Sequence, residues 1–204
     1  DINHTAGITG SVYATEVDID VATLSMSAGA DITGNVDFSA DGVLALASGV
    51  DVTGTILPSG GDGMGTVNVA GTSTITGQIG NAGGHDLGLL ALTTSGAVLS
   101  VGSGIEATAV TLAAGTELKY IEADNVTAHT GNLVVTGTGK VNVGTATVTV
   151  SGTLTMPATS TFMVTIGDTN GKLVHSTAAS AFIATTGLLE PVIAGRIISG
   201  TAIT

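Results

Sequence analysis

Asp31 and Asp51 stand 20 residues apart in two nearly identical phrases, LSMSAGADITGNV (24–36) and LALASGVDVTGTI (44–56). If the phrases are successive coils of one repeat, their carboxylates lie about 4.8 Å apart, the spacing of paired strands. Two carboxyls at that distance can share a proton or clasp a Ca²⁺. Asp31 and Asp51 are therefore the candidate metal ligands, and calcium is the one candidate cofactor. The competing reading is a solvated acidic face. Asp18 and Asp20, two apart in VDIDV, project on one face in the same way. Glu117 and Lys140 occupy matching repeat positions and form an exposed ion pair worth about 0–1 kcal/mol.

Other chemistry is thinly supported. His85 and His129 fall in coils two apart, about 10 Å from each other and too far to share one metal ion. His4 lies near a terminus, and His175 stands in an otherwise apolar column. All four histidines read as structural or surface residues. SGGDGMG (59–65) lacks the GK[ST] of a phosphate loop and reads as a flexible surface turn. Thr33, Thr53 and Thr76 share a repeat position, as in a threonine ladder that binds ice, but Leu99 and Lys119 end the run. No Ser–His–Asp arrangement can be drawn. No residue is assigned as catalytic, and the chain is not expected to be an enzyme.

Charge narrows the partners. The chain has 204 residues and a net charge of −12. Residues 1–100 carry ten acids and no Lys or Arg, and the four cations Lys119, Lys140, Lys172 and Arg196 all follow. Such a surface repels phosphate, which argues against nucleic acid and anionic membranes. There is no cysteine, so neither disulfides nor thiolate-bound metal occur. The most apolar stretch, LGLLALTTSGAVLSVGSG (87–104), is broken by Gly, Ser and Thr and reads as strands rather than a membrane span. The chain begins at Asp1 without a signal peptide, as a mature processed protein or a trimmed fragment would.

The elements that position these residues follow from the repeat. Hydrophobic residues make up 43% of the chain and aromatics 2%, with 31 Gly. That composition favours short aliphatic strands joined by tight turns. Register marks run Leu24, Leu44, Val67, Leu90, Val110, Leu133, Leu154 and Leu173. Two residues further stand Met26, Leu46, Val69, Leu92, Leu112, Val135, Met156 and His175. Eight residues along stand Ile32, Val52, Ile75, Val98, Leu118, Val141, Phe162 and Ala181. Between them the pattern alternates with period 2. One such unit cannot bury its own apolar face, whereas stacked units can. The expectation is an all-β fold, a parallel β-solenoid (β-helix) of about 8–10 coils of 19–23 residues. Residues 1–204 form a single body, with 1–23 as the N-terminal edge coil and 174–204 as the C-terminal edge and assembly segment. An antiparallel β-sandwich is the alternative. GDTNG (167–171) could close a local hairpin between TFMVTI and KLVHS.

GTSTITGQIGN (71–81) and SGTLTMPATSTFMVTIGDTNGKL (151–173) resemble the passenger region of autotransporter-type surface antigens, nearest to the large rickettsial outer-membrane surface proteins. The resemblance implies a secreted β-helical stalk or surface-layer material. The chain departs from a complete autotransporter because it lacks the amphipathic strands of a membrane barrel.

A solenoid ends in open strand edges and exposed core. Leu188, Leu189, Val192, Ile193, Ile197, Ile198 and Ile203 make the C-terminal segment too apolar to face water without a partner. Head-to-tail self-association is expected, with host or cell-surface components as further partners. The expected function is an extracellular or bacterial cell-surface structural rod, a subunit of a filament, surface layer or adhesive stalk. The alternatives are a carbohydrate-active β-helix enzyme and a calcium-binding adhesin module.

Overall fold

The structure is a computed structural model and describes residues 2–80, 84–121, 126–166, 172–175, 182–184 and 188–193. Its strands follow one another coil by coil. They are β1 (Ala6–Ile8), β2 (Val12–Ile19), β3 (Thr23–Met26), β4 (Ile32–Phe38), β5 (Val43–Leu46), β6 (Val50–Thr53) and β7 (Ile56–Leu57). Then come β8 (Met64–Val69), β9 (Thr72–Ile75), β10 (Leu87–Leu92), β11 (Val98–Val101), β12 (Ile105–Leu112), β13 (Glu117–Tyr120) and β14 (Val126–Val135). The last are β15 (Lys140–Asn142), β16 (Thr147–Val150), β17 (Leu154–Met156), β18 (Thr161–Ile166), β19 (Lys172–His175), β20 (Phe182–Ala184) and β21 (Leu188–Ile193).

Every strand pairing is parallel, so the fold is an all-β parallel β-solenoid and the sandwich is excluded. The first side is one continuous column of register partners: Ala6, Leu24, Leu44, Val67, Leu90, Val110, Leu133, Leu154 and Phe182. Seven of the marks read from the sequence are consecutive steps of that ladder.

The eighth is not. Leu173 pairs with Val148 and His175 with Val150, while Phe182 takes the place above Leu154. The cause is geometric. A coil has three sides, each alternates with period 2, and alternation alone does not say which side a segment joins. The third side runs Val36, Ile56, Ile79, Ile105, His129 and Val150. Leu173 belongs beside it.

The second side corrects the third apolar column as well. Ile32, Val52 and Ile75 continue to Val101 and Tyr120. Leu118, Val141 and Phe162 descend instead from Leu99 and Ser73. The sequence pattern had spliced two columns at Val98, which is half-buried, while Leu99 beside it is fully buried. The hairpin at 167–171 is not formed as a β18–β19 pair: β18 pairs with β15 and β21, and β19 with β16. The turn itself lies outside the described residues, as does Ala181.

The interior is a single aliphatic cluster from Val17 to Met156. Each buried Val, Leu or Ile stabilises it by roughly 1.5–3 kcal/mol. Phe38 is the largest fully buried side chain. Its ring occupies the space a side chain at Gly65 would need, since a Cβ there would fall 2.5 Å from the ring. Gly65 therefore serves packing within β8 rather than a flexible turn. Gly54 marks a corner where coils approach closely, and a Cβ there would lie 2.2 Å from the Gly34 carbonyl oxygen. Among the described residues no helix is long and apolar enough to cross a membrane.

Candidate functional site

The acids form inter-coil ladders. Asp31 and Asp51 share one position in successive coils, and the ladder is made of hydrogen bonds. The Ser11 hydroxyl oxygen accepts from the Asp31 backbone N–H at 3.1 Å. Asp31 Oδ1 then accepts from the Asp51 N–H at 3.0 Å, and Asp51 Oδ1 from the Thr74 N–H at 2.8 Å. Each carboxylate thus caps a main-chain donor of the coil that follows. Asn35 does the same for Thr55 at 3.1 Å, Asp62 for Asp86 at 2.9 Å and Asn132 for Thr153 at 2.9 Å.

A second acidic column lies on the third side. Asp18 and Asp37 are register partners. Asp18 Oδ1 accepts from the Ser39 hydroxyl at 2.6 Å. Asp37 takes both the backbone N–H of Ser59, at 3.0 Å, and its hydroxyl, on separate oxygens. These carboxylates are occupied by the protein itself. Among the described residues no group of three or more His, Cys, Asp or Glu could hold a metal ion. Asp31 and Asp51 each keep one oxygen that no protein donor takes, and so does Asp18.

Glu117 and Lys140 are register partners, as their spacing required, but the expected ion pair is not formed. Glu117 Oε1 accepts from Asn142 Nδ2 at 2.9 Å. His4 donates to Asn3 Oδ1 at 2.6 Å on the surface. His129 and His175 lie on the third side, in register with Ile105 and Val150 respectively.

Sequence reasoning missed Glu106. It lies at the start of β12 and is 8% exposed, with Gln78 Nε2 donating to its Oε1 at 3.2 Å. Burial raises its carboxyl pKa, and the nearby Asp86 carboxylate raises it further. Asp86 precedes Leu87, the register partner of Ala107, so the two acids belong to adjacent coils. Beside them His85 holds a buried Nδ1 without a hydrogen-bond partner. A carboxyl whose pKa is raised, with a second carboxylate beside it, is the kind of pairing from which acid–base sites are built. The signal in the sequence is Glu106 after Ile105, at the point where β12 bends between sides. No spacing rule locates that bend.

The assembly residues divide. Leu188, Leu189, Val192 and Ile193 lie in β21, in register with Thr161, Phe162, Thr165 and Ile166 of β18. Ile197, Ile198 and Ile203 lie outside the described residues. β21 is the last strand in the order of the second side. At the other end Ile2, Ala6, Ile8 and Val12 lie half-buried over the core, and Tyr13 and Val21 are 79% and 72% exposed. Comparison with family models, curated proteins and solved structures finds no match.

Proposed function

We propose that the protein is an extracellular or cell-surface structural rod that joins copies of itself end to end in a filament, surface layer or adhesive stalk. The carrying observation is the pair of strand edges at the first end of the ladder. β1 and β2 begin the two sheet orders, and among the described residues only Ile2, beside Ile19, pairs with the outer edge of β2. Beneath them the aliphatic core continues to a half-buried layer with no helix over it among the described residues. Open parallel edges over an apolar core are surfaces that natural solenoids cap or join. The autotransporter-passenger likeness of the sequence agrees with a surface role, and the parallel β-solenoid is consistent with it.

The test is negative-stain microscopy of the chain and of a form lacking residues 188–204. The chain is expected to form filaments and the shortened form single rods. A chain that stays in single rods at high concentration, or a shortened form that polymerises equally, would overturn the reading.

A carbohydrate-active solenoid is the second reading, and Asp86 with Glu106 is the observation that favours it. A site for anionic sugars also wants cations at hand. Lys119 and Lys140 lie on the second side, in β13 and β15. Hydrolysis of an acidic polysaccharide that disappears in Glu106→Gln would establish this reading in place of the first.

A further inference from the structure

We propose that the first side of the solenoid is a self-association face on which a second copy of this chain packs sheet to sheet. That side consists of β1, β3, β5, β8, β10, β12 from Ala107, β14 from Gly131, β17 and β20. Over those spans the nine strands contain no charged residue, in a chain of net charge −12. The other sides and the turns leading into this one carry the charge, Asp20, Asp41, Asp62 and Asp86 standing just before β3, β5, β8 and β10. Asp51, Glu117, Lys119 and Lys140 stand on the second, and Asp37 and Glu106 on the third.

Electrostatics selects the occupant. Two copies that meet through either other side bring carboxylates together, and like charges juxtaposed in an interface oppose association by several kcal/mol. The first side lets two acidic rods approach with their acids at its edge rather than within the contact. Its outward, half-buried positions include Val43, Ala45, Leu89, Ala109 and Val134, which alternate with the buried column. They are small or aliphatic, so the face can be flat enough for sheets to pack about 10 Å apart.

The area suffices. Nine strands spaced about 4.8 Å apart, each presenting about four residues of 3.3 Å, cover roughly 43 by 13 Å. Two copies then bury about 1,100 Å², above the roughly 1,000 Å² expected of a specific interface. A twofold axis through the face makes the contact self-complementary and closed. The contact goes beyond end-to-end joining and does not depend on it, because it widens a rod where edge pairing lengthens one.

Small-angle scattering with sedimentation at physiological salt tests it, with Asn68→Glu/Thr111→Glu on this face and Thr53→Glu/Ser100→Glu on the second side. The unaltered chain and the second-side variant are expected to show a cross-section two rods wide. The first-face variant is expected to show a single width with unchanged β-sheet circular dichroism. If that variant loses its sheet signal, Ala45→Glu carries the same test. A single-width native chain overturns the proposal, and so does a double-width first-face variant. If both double variants are single-width, total charge and not this face governs association, which also overturns it. A native chain that is single-width but sediments with crystalline cellulose would assign the face to a polysaccharide instead.

Discussion

The backbone N–H of Asp51 donates to Asp31 Oδ1 across 3.0 Å, so a side chain of one coil closes a main-chain bond of the next. The repeat therefore conserves an acceptor at this position rather than a charge. Asp31→Ala is expected to destabilise the solenoid by about 0.5–1.5 kcal/mol, the net worth of one hydrogen bond. Asp31→Asn keeps the oxygen, removes a carboxylate facing Asp51, and is expected to be neutral or mildly stabilising. Urea denaturation of the two variants checks this. An equal loss in both would mean that charge, not the acceptor, matters.

Leu99 and Val98 offer a sharp comparison of neighbours. Leu99 is fully buried between Ser73 and Leu118, whereas Val98 is half-buried. Leu99→Ala is expected to cost about 2–5 kcal/mol, as large-to-small changes in packed cores do. Val98→Ala should cost less than about 1 kcal/mol, as changes outside the core do. Thermal melts read the difference, and a reversed order would contradict the register of β11.

Gly54→Ala should be among the most disruptive small substitutions in the chain, because its methyl would meet the Gly34 carbonyl oxygen. Gly7→Ala adds a methyl with nothing within 4 Å and should change stability little. A loss of more than about 2 kcal/mol is expected for the former, the range of core overpacking. Equal melting temperatures for the two variants would refute the close corner.

Glu106 makes stability depend on pH in a stated direction. Burial, then Asp86, raises its folded pKa above the ordinary value of 4.5. The folded state therefore holds the proton more tightly than the unfolded chain. Its contribution is full below the unfolded pKa and is lost as pH rises through the raised folded value. Glu106→Gln keeps an acceptor for Gln78 and removes the titration. Compared with the native chain, the variant should gain stability at neutral pH relative to acid. Melting temperatures from pH 4 to 8 for both proteins test this, and parallel curves would exclude Glu106 as the source.

The sequence alone determined the repeat and the ladder from Leu24 to Leu154, and the parallel pairing of successive coils then decided for the solenoid over the sandwich. A stacked core demands an apolar residue at the same place in every coil, and that demand is written as a period near 20 residues. It also placed Asp31 on Asp51 and Glu117 on Lys140, since positions within one side inherit the period. Tertiary structure alone decided which side of a coil each segment joins. Leu173 beside Val148, Phe182 on Leu154 and the two columns that part at Val98 all turn on where the chain bends. The same bends set Glu106 next to Asp86 and leave one side without charge. Alternation records whether a side chain points in or out, while the corners depend on close backbone contacts such as Gly54 against Gly34, which exist only once the coils are stacked.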